Sequence, residues 1–344
     1  MLTWREATGR ALYGLGGFYR REQPGNHFRT SVHASPLFAD AVAALVRDCG
    51  ARIVVDVGAG GGELLRELHG QAPDLDLVGV DLAARPAQLP DSIRWTPTLG
   101  DLETPGSVGP PPYPSRDHEE SALVDVLVIA NEWLDDVPVD VVEVDETGRV
   151  RRVEVDPLSG VEQLGAAVDG ADADWLARWW PLDDAEPGAR AEIGRTRDRA
   201  WADAVATVGR GVLVAIDYSH RRSDRPPAGT LVGYRAGRMV APVPDGSCDI
   251  TAHVALDSCA SAGAEAGATA TMLTTQRRAL RALGVDAALP LRPSVDDDPR
   301  SYLAALSRAS QAAELLDPAG LGAFGWLVQA VGRQLPATLA GLIS

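Results

Sequence analysis

The rhythm of hydrophobic positions changes near residue 50. Before it, Leu37, Phe38, Ala41, Val42 and Leu45 recur at helical spacing, and the pattern predicts helices over 3–16 and 35–48. After it, short β-branched runs at 52–57, 75–81, 124–130 and 212–217 alternate with helical stretches. Unbroken apolar strands separated by helices suit a parallel sheet covered on both faces. The fold class read from this pattern is α/β.

Three stretches interrupt the alternation. Residues 104–120 are rich in Pro and Gly with no apolar period, which predicts a loop. Residues 139–156 read as a hairpin turning at Glu146-Thr147-Gly148. Residues 160–207 carry Trp175, Trp179, Trp180 and Trp201 on a helical background, an insertion expected to cap one end of the sheet. The tryptophans can line a substrate wall or form the insertion's core, and core is the plainer reading. A second hairpin is expected over 230–243, then a helix over 252–266, a strand over 268–273 and a helix over 275–283. The run 324–331 is expected to close the sheet as an antiparallel edge strand. The division that follows is an N-terminal helical segment (1–48), a core in two parts (49–158 and 208–344) and a mainly helical insertion (159–207).

Composition narrows the chemistry. Acids outnumber bases 48 to 32, a net charge of −16, which argues against nucleic acid or an anionic membrane as partner. All 32 bases are arginine and the chain has no lysine. GC-rich coding explains that bias, but it still excludes Schiff-base aldolases, pyridoxal-phosphate enzymes, Walker-A nucleotidases and protein kinases. Three cysteines without a C-x-x-C pair read as reduced thiols rather than a disulfide framework or metal site. No run approaches the roughly 18 apolar residues of a membrane span, and charges interrupt the first residues before a signal peptide could form. A cytoplasmic protein is expected; its oligomeric state is not legible.

The strongest local signal is Val54-Val55-Asp56-Val57-Gly58-Ala59-Gly60-Gly61-Gly62-Glu63, a strand running through a glycine turn into a helix. Any tight strand–helix crossover uses glycine. A dinucleotide fold, however, wants its last glycine where Glu63 stands, and that carboxylate would repel a pyrophosphate. The spacing Gly58, Gly60, Gly62 after Asp56 resembles the first motif of class I S-adenosylmethionine-dependent methyltransferases, whose cofactor is cationic. Asp81 ends the next strand, placed to accept ribose hydroxyls, and Asp101 with Leu102 follows the third, where such enzymes bind adenine.

Further stretches resemble the MidA-type methyltransferase family, relatives of a mitochondrial complex I assembly methyltransferase. They are Gly17-Phe18-Tyr19, Gly25 to Ser31, Asn131-Glu132-x-Leu134-Asp135, Ile216-Asp217-Tyr218, Asp249-Ile250-Thr251-Ala252-His253 and Leu273-Thr274-Thr275-Gln276. The resemblance spans about residues 15–330. It implies a Rossmann-like class I core, an N-terminal lid over the cofactor, and S-adenosyl-L-methionine held by Asp56, Gly58, Gly60, Gly62, Asp81, Asp101, Leu102 and Asn131, with Thr30 or Ser31 reaching its carboxylate. It also suggests N-methylation of an arginine guanidinium. Asp136 departs from the family, which usually has a small residue there.

Methyl transfer needs positioning and often a base. Glu132 is expected as clamp and proton acceptor, assisted by Asp135 or Asp136, with Asp135 one turn on if the segment becomes helical. The plainer reading is that Asn131 and Glu132 cap that helix. His220 and His253 read as structural, while Tyr218 lines a pocket or packs. The expected function is methylation of a protein or peptide; the alternatives are a small-metabolite acceptor, or an assembly factor with little catalysis.

Overall fold

The computed structural model describes residues 1–21, 31–102, 122–289 and 299–342. Residues 25–30 of the expected lid 25–31, Thr30 among them, and the expected loop 104–120 lie outside the described residues. Two compact units emerge: one comprises Met1–Phe28, Glu132–Ala206 and Asp217–Ala268, the other Arg29–Asn131, Thr207–Ile216 and Thr269–Ser344.

The second unit is built on a seven-stranded sheet. In chain order its strands are β1 (Ile53–Val57), β2 (Asp76–Val80), β3 (Arg94–Thr96), β4 (Leu123–Asn131), β5 (Val208–Asp217), β6 (Ala270–Thr275) and β7 (Gly325–Val331). Their spatial order is β3-β2-β1-β4-β5-β7-β6. The pairings among β1 to β5 are all parallel. Val57 pairs with Val80 and Ala130, and Asn131 with Ile216, so the carboxyl ends of the strands come level. Every residue of β1 is buried, which is why these strands read as continuous apolar runs rather than alternating ones.

The expectation for 324–331 needs correction. The strand Gly325–Val331 is antiparallel to β6, but it lies between β5 and β6 and is not the edge. Burial explains the placement. Trp326, Leu327, Val328, Gln329 and Ala330 are all fully inaccessible, as an interior strand requires, whereas in β6 only Met272 and Thr274 are buried.

The other unit carries a five-stranded antiparallel sheet. Its strands run Leu2–Thr3, Val150–Val155, Asp140–Val144 and Arg190–Ile193 in spatial order, and Glu162–Ala167 also pairs with Val150–Val155. The hairpin expected over 139–156 is present, turning at Gly148 with φ 78°. The hairpin expected over 230–243 is present as Val232–Arg235 with Arg238–Val240. The insertion supplies two helices, Gly170–Trp179 and Arg195–Ala206, and also two strands of this sheet. Trp175 and Trp180 pack with Val142, Val144, Leu176 and Ile193, and Trp201 is fully buried, so these rings form core rather than a substrate wall. Helix Trp4–Tyr13 starts on a capping box, Thr3 with Glu6, and buries Trp4 and Ala7 against Val141, Val153 and Val155.

The interior position of β7 gives a stability prediction. Trp326→Ala removes a fully buried indole and should cost about 3–5 kcal/mol in denaturant unfolding; a cost under about 1 kcal/mol would return the strand to an edge role.

Candidate functional site

β1 runs into the glycine turn and then helix Glu63–Gln71. Gly58, Gly60 and Gly62 have φ of 72°, 54° and 71°, a region that penalises any side chain, so the spacing read in the sequence is a backbone requirement. A Cβ placed on Gly60 would meet nothing within 4 Å. The space beside that backbone is therefore open to a ligand.

Asp81 follows β2 and reaches back to the turn. Its Oδ2 accepts the Gly60 N–H at 2.8 Å and its Oδ1 accepts the Ala83 N–H at 2.8 Å. A carboxylate oxygen has two acceptor sites, so both oxygens retain capacity for ribose hydroxyls. Asp56, on β1, is 5% exposed, and its carboxyl is pushed up to about 8 by burial and then by Asp81 and Glu63. Glu63 is held below the usual range: burial opposes its ionisation, but bonds from His33 (3.5 Å) and its own N–H outweigh that. Three acids thus crowd the turn, an environment that favours a cation over a phosphate.

The remaining cofactor candidates divide. Asp101 is exposed, accepts Thr98 Oγ1 at 2.6 Å, and no hydrogen bond links it to Asp56 or Asp81 among the described residues. Leu102 closes the short turn that carries Asp101. Asn131 is buried at the end of β4. Ser31 is fully buried and donates to Gln276 Oε1 at 3.1 Å, which also accepts from Trp326.

The chain leaves β4 at Glu132, whose φ of 52° is unusual for a residue with a side chain. The segment does not turn helical: residues 132–137 form bends and turns, then the chain enters strand Asp140–Val144. Asn131 and Glu132 therefore cap no helix, and Asp135 does not lie one helical turn on. Asp217, last residue of β5 and fully buried, sets the turn instead. Its Oδ2 accepts the N–H groups of Leu134 (3.0 Å) and Asp135 (3.2 Å), and Pro138 opposes helix propagation.

Asp135 is 6% exposed and its Oδ2 accepts Thr251 Oγ1 at 2.7 Å. Tyr19 OH lies 2.6 Å from Asp136 Oδ2 and 2.9 Å from Asp249 Oδ1. Burial, then neighbouring acids, raises Asp136 and Asp217 well above the carboxylate range, and Asp249 to about 7. Burial also raises Asp135, against bonds and charge from Thr251 and Arg197.

Arg197 is the residue that sequence reasoning missed. It is 3% exposed and donates to the carbonyls of Val137 (3.1 Å), Ala252 (2.9 Å), His253 (2.9 Å) and Asp135. One guanidinium thereby ties the turn after β4 to the Asp249–His253 segment. Nothing in the local sequence separates it from exposed Arg195 and Arg199. His220 is buried with Nδ1 at 2.6 Å from Arg225 Nη1, and burial with that cation lowers it to about 3, a structural setting. His253 stacks on Tyr218 at 5.6 Å and is lowered by burial.

Residues 37–274 match the family described as putative S-adenosyl-L-methionine-dependent methyltransferase. The chain is similar to a crystal structure of a likely methyl transferase from Burkholderia thailandensis bound to S-adenosyl-homocysteine, at 26% identity and TM-score 0.74. That match covers 98% of this chain and 90% of the other. A native structure of an uncharacterized protein of the same superfamily and organism matches with the same figures. No curated protein sequence matches. The chain belongs to this methyltransferase family and has its class I fold, with S-adenosyl-L-methionine as cofactor. Bound, that cofactor supplies a methyl group on a sulfonium; the open glycine turn and its acids suit a cationic ligand.

A pH dependence follows. At pH 7 a carboxyl at about 8 is mostly protonated, and a cation beside Asp56 favours the ionised form. Cofactor affinity should rise with pH, by up to about tenfold per unit, and level off above about 8. Calorimetry at pH 7 in buffers of different ionisation enthalpy should register proton release, which Asp56→Asn abolishes. A pH-independent affinity would remove Asp56 from the site.

Proposed function

We propose that this methyltransferase modifies a nitrogen of a protein or peptide acceptor, with an arginine guanidinium as the favoured group. One observation carries the reading. The turn leaving the central strand β4 presents Glu132 at a left-handed φ beside a set of acids, the buried Asp135, Asp217 and Asp249 and the part-buried Asp136. Acids so arranged favour a cation with several N–H donors. The arginine suggestion itself comes from the family resemblance.

In this reading Asp56, Asp81 and the glycine turn hold the cofactor, with Asn131, Asp101, Leu102 and the Thr30–Ser31 segment as further contacts. Glu132 clamps the acceptor and takes its proton. A guanidinium stays protonated in ordinary settings, so the clamp must hold its charge while one nitrogen's lone pair faces the methyl group. Asp135 assists through the turn it shares with Glu132 rather than by contact with the acceptor, because its carboxyl faces Thr251. No helix among the described residues is long and apolar enough to cross a membrane, and a cytoplasmic site of action is part of the proposal.

Cell extract incubated with radiolabelled cofactor and this enzyme should place label in protein. Glu132→Gln should cut incorporation by about a hundredfold or more and leave cofactor affinity within about twofold by calorimetry. Label in small molecules would favour a metabolite acceptor. No label with cofactor binding intact would favour an assembly factor, and unchanged transfer by the variant removes Glu132 from the chemistry.

A further inference from the structure

Asp135 and Asp217 lie side by side against one turn: Asp217 Oδ2 accepts the N–H of Asp135 itself, and the two carboxyls are within hydrogen-bonding reach. Each uses one oxygen on a conventional donor. Asp217 Oδ2 takes Leu134 and Asp135 N–H, and Asp135 Oδ2 takes Thr251 Oγ1. The other two, Asp135 Oδ1 and Asp217 Oδ1, are inaccessible and have no hydrogen-bond partner among the described residues. A buried acceptor without a donor is costly, and two buried like charges in contact cannot both persist. A single proton shared by the two carboxyls removes the like-charge penalty and supplies a donor where the oxygens lack one.

We infer that Asp135 and Asp217 share one proton, and that the resulting acid–carboxylate pair is the positioning device that fixes the turn carrying Glu132. Its functional consequence rests on the reading of Glu132 proposed above; the shared proton does not. Asp217 belongs to β5 and Asp135 to the segment after β4, so the pair staples two neighbouring chain segments where no helix stabilises the turn. Arg197 supplies the counter-charge, acting on both carboxyls while bonding to carbonyls. The ionisable groups around the pair are Glu132 and Asp136 on the same turn, Tyr218 beyond β5, and Asp249 and His253 on the adjoining segment. Tyr234 and Cys259 also face it, and burial keeps both neutral.

A proton bound in the folded chain but not in the unfolded one makes stability fall as pH rises. The fall begins above the ordinary carboxylate range and ends at the pair's own, raised value. Asp217→Asn mimics the protonated member: its amide oxygen accepts the two backbone N–H groups and its NH2 takes the place of the shared proton as a donor toward the Asp135 carboxylate. The variant should therefore fold and lose one protonated-carboxyl infrared band that the wild type shows at pH 7. Its folding equilibrium should gain on the wild type by up to about tenfold per pH unit across that window. Asp135→Asn should behave reciprocally. The wild type's methyl transfer into extract protein should decline at alkaline pH more steeply than that of Asp217→Asn. An unchanged infrared band or parallel stability curves would overturn the shared proton. Failure of both variants to fold would overturn it too, since each is isosteric with the protonated state. Intact band and stability results without any methyl transfer by the wild type would instead reject the proposed function.

Discussion

One device occurs in each of the two units: an acid at the end of a strand satisfies the backbone of the loop that leaves a neighbouring strand. Asp81, after β2, accepts the Gly60 N–H of the loop after β1. Asp217, ending β5, accepts the Leu134 and Asp135 N–H groups of the turn after β4. Loops at a sheet edge carry N–H groups that the ladder no longer satisfies, and buried donors must find acceptors. Carboxylates are strong acceptors, so they fix these loops and also charge them. In our proposal the binding of a cationic cofactor and of a cationic acceptor grows from that structural need.

What was legible in the sequence follows the same physics. The glycine turn announced itself because φ values of 54–72° penalise side chains and favour glycine. Asp81 could be placed because its strand and loop are short and regular. The turn after Asn131 was expected to become a helix, and spacing alone gave no sign that Asp217, 82 residues from Asp135, would take its N–H. The position of β7 was hidden for a related reason: a strand's neighbours are chosen by tertiary pairing, and only the burial of both faces of Trp326–Ala330 marks it as interior. Arg197 was least legible, since a buried guanidinium and a solvated one share the same letter.

The absence of lysine takes on a different weight beside Arg197. A lysine ammonium is a point charge with three donors, whereas the guanidinium fork can hold four carbonyls on two segments at once. The acid excess likewise divides into two populations. Many acids are solvated or pair with exposed arginines, as in Arg199 with Asp203 at 2.7 Å, and contribute little stability. Asp56, Asp135, Asp217 and Asp249 are buried and carry raised values, a cost that in our proposal is maintained for the binding of cations.

The most direct measurement of this account is the affinity of S-adenosyl-L-methionine for Asp81→Ala by titration calorimetry. The substitution removes the acceptor of the Gly60 and Ala83 N–H groups and the acid expected at the ribose. Charged hydrogen bonds contribute about 1.5–3 kcal/mol each, so affinity should fall by at least about tenfold with the fold retained. A variant that binds the cofactor as tightly as the wild type would contradict the central claim that strand-end acids build this site.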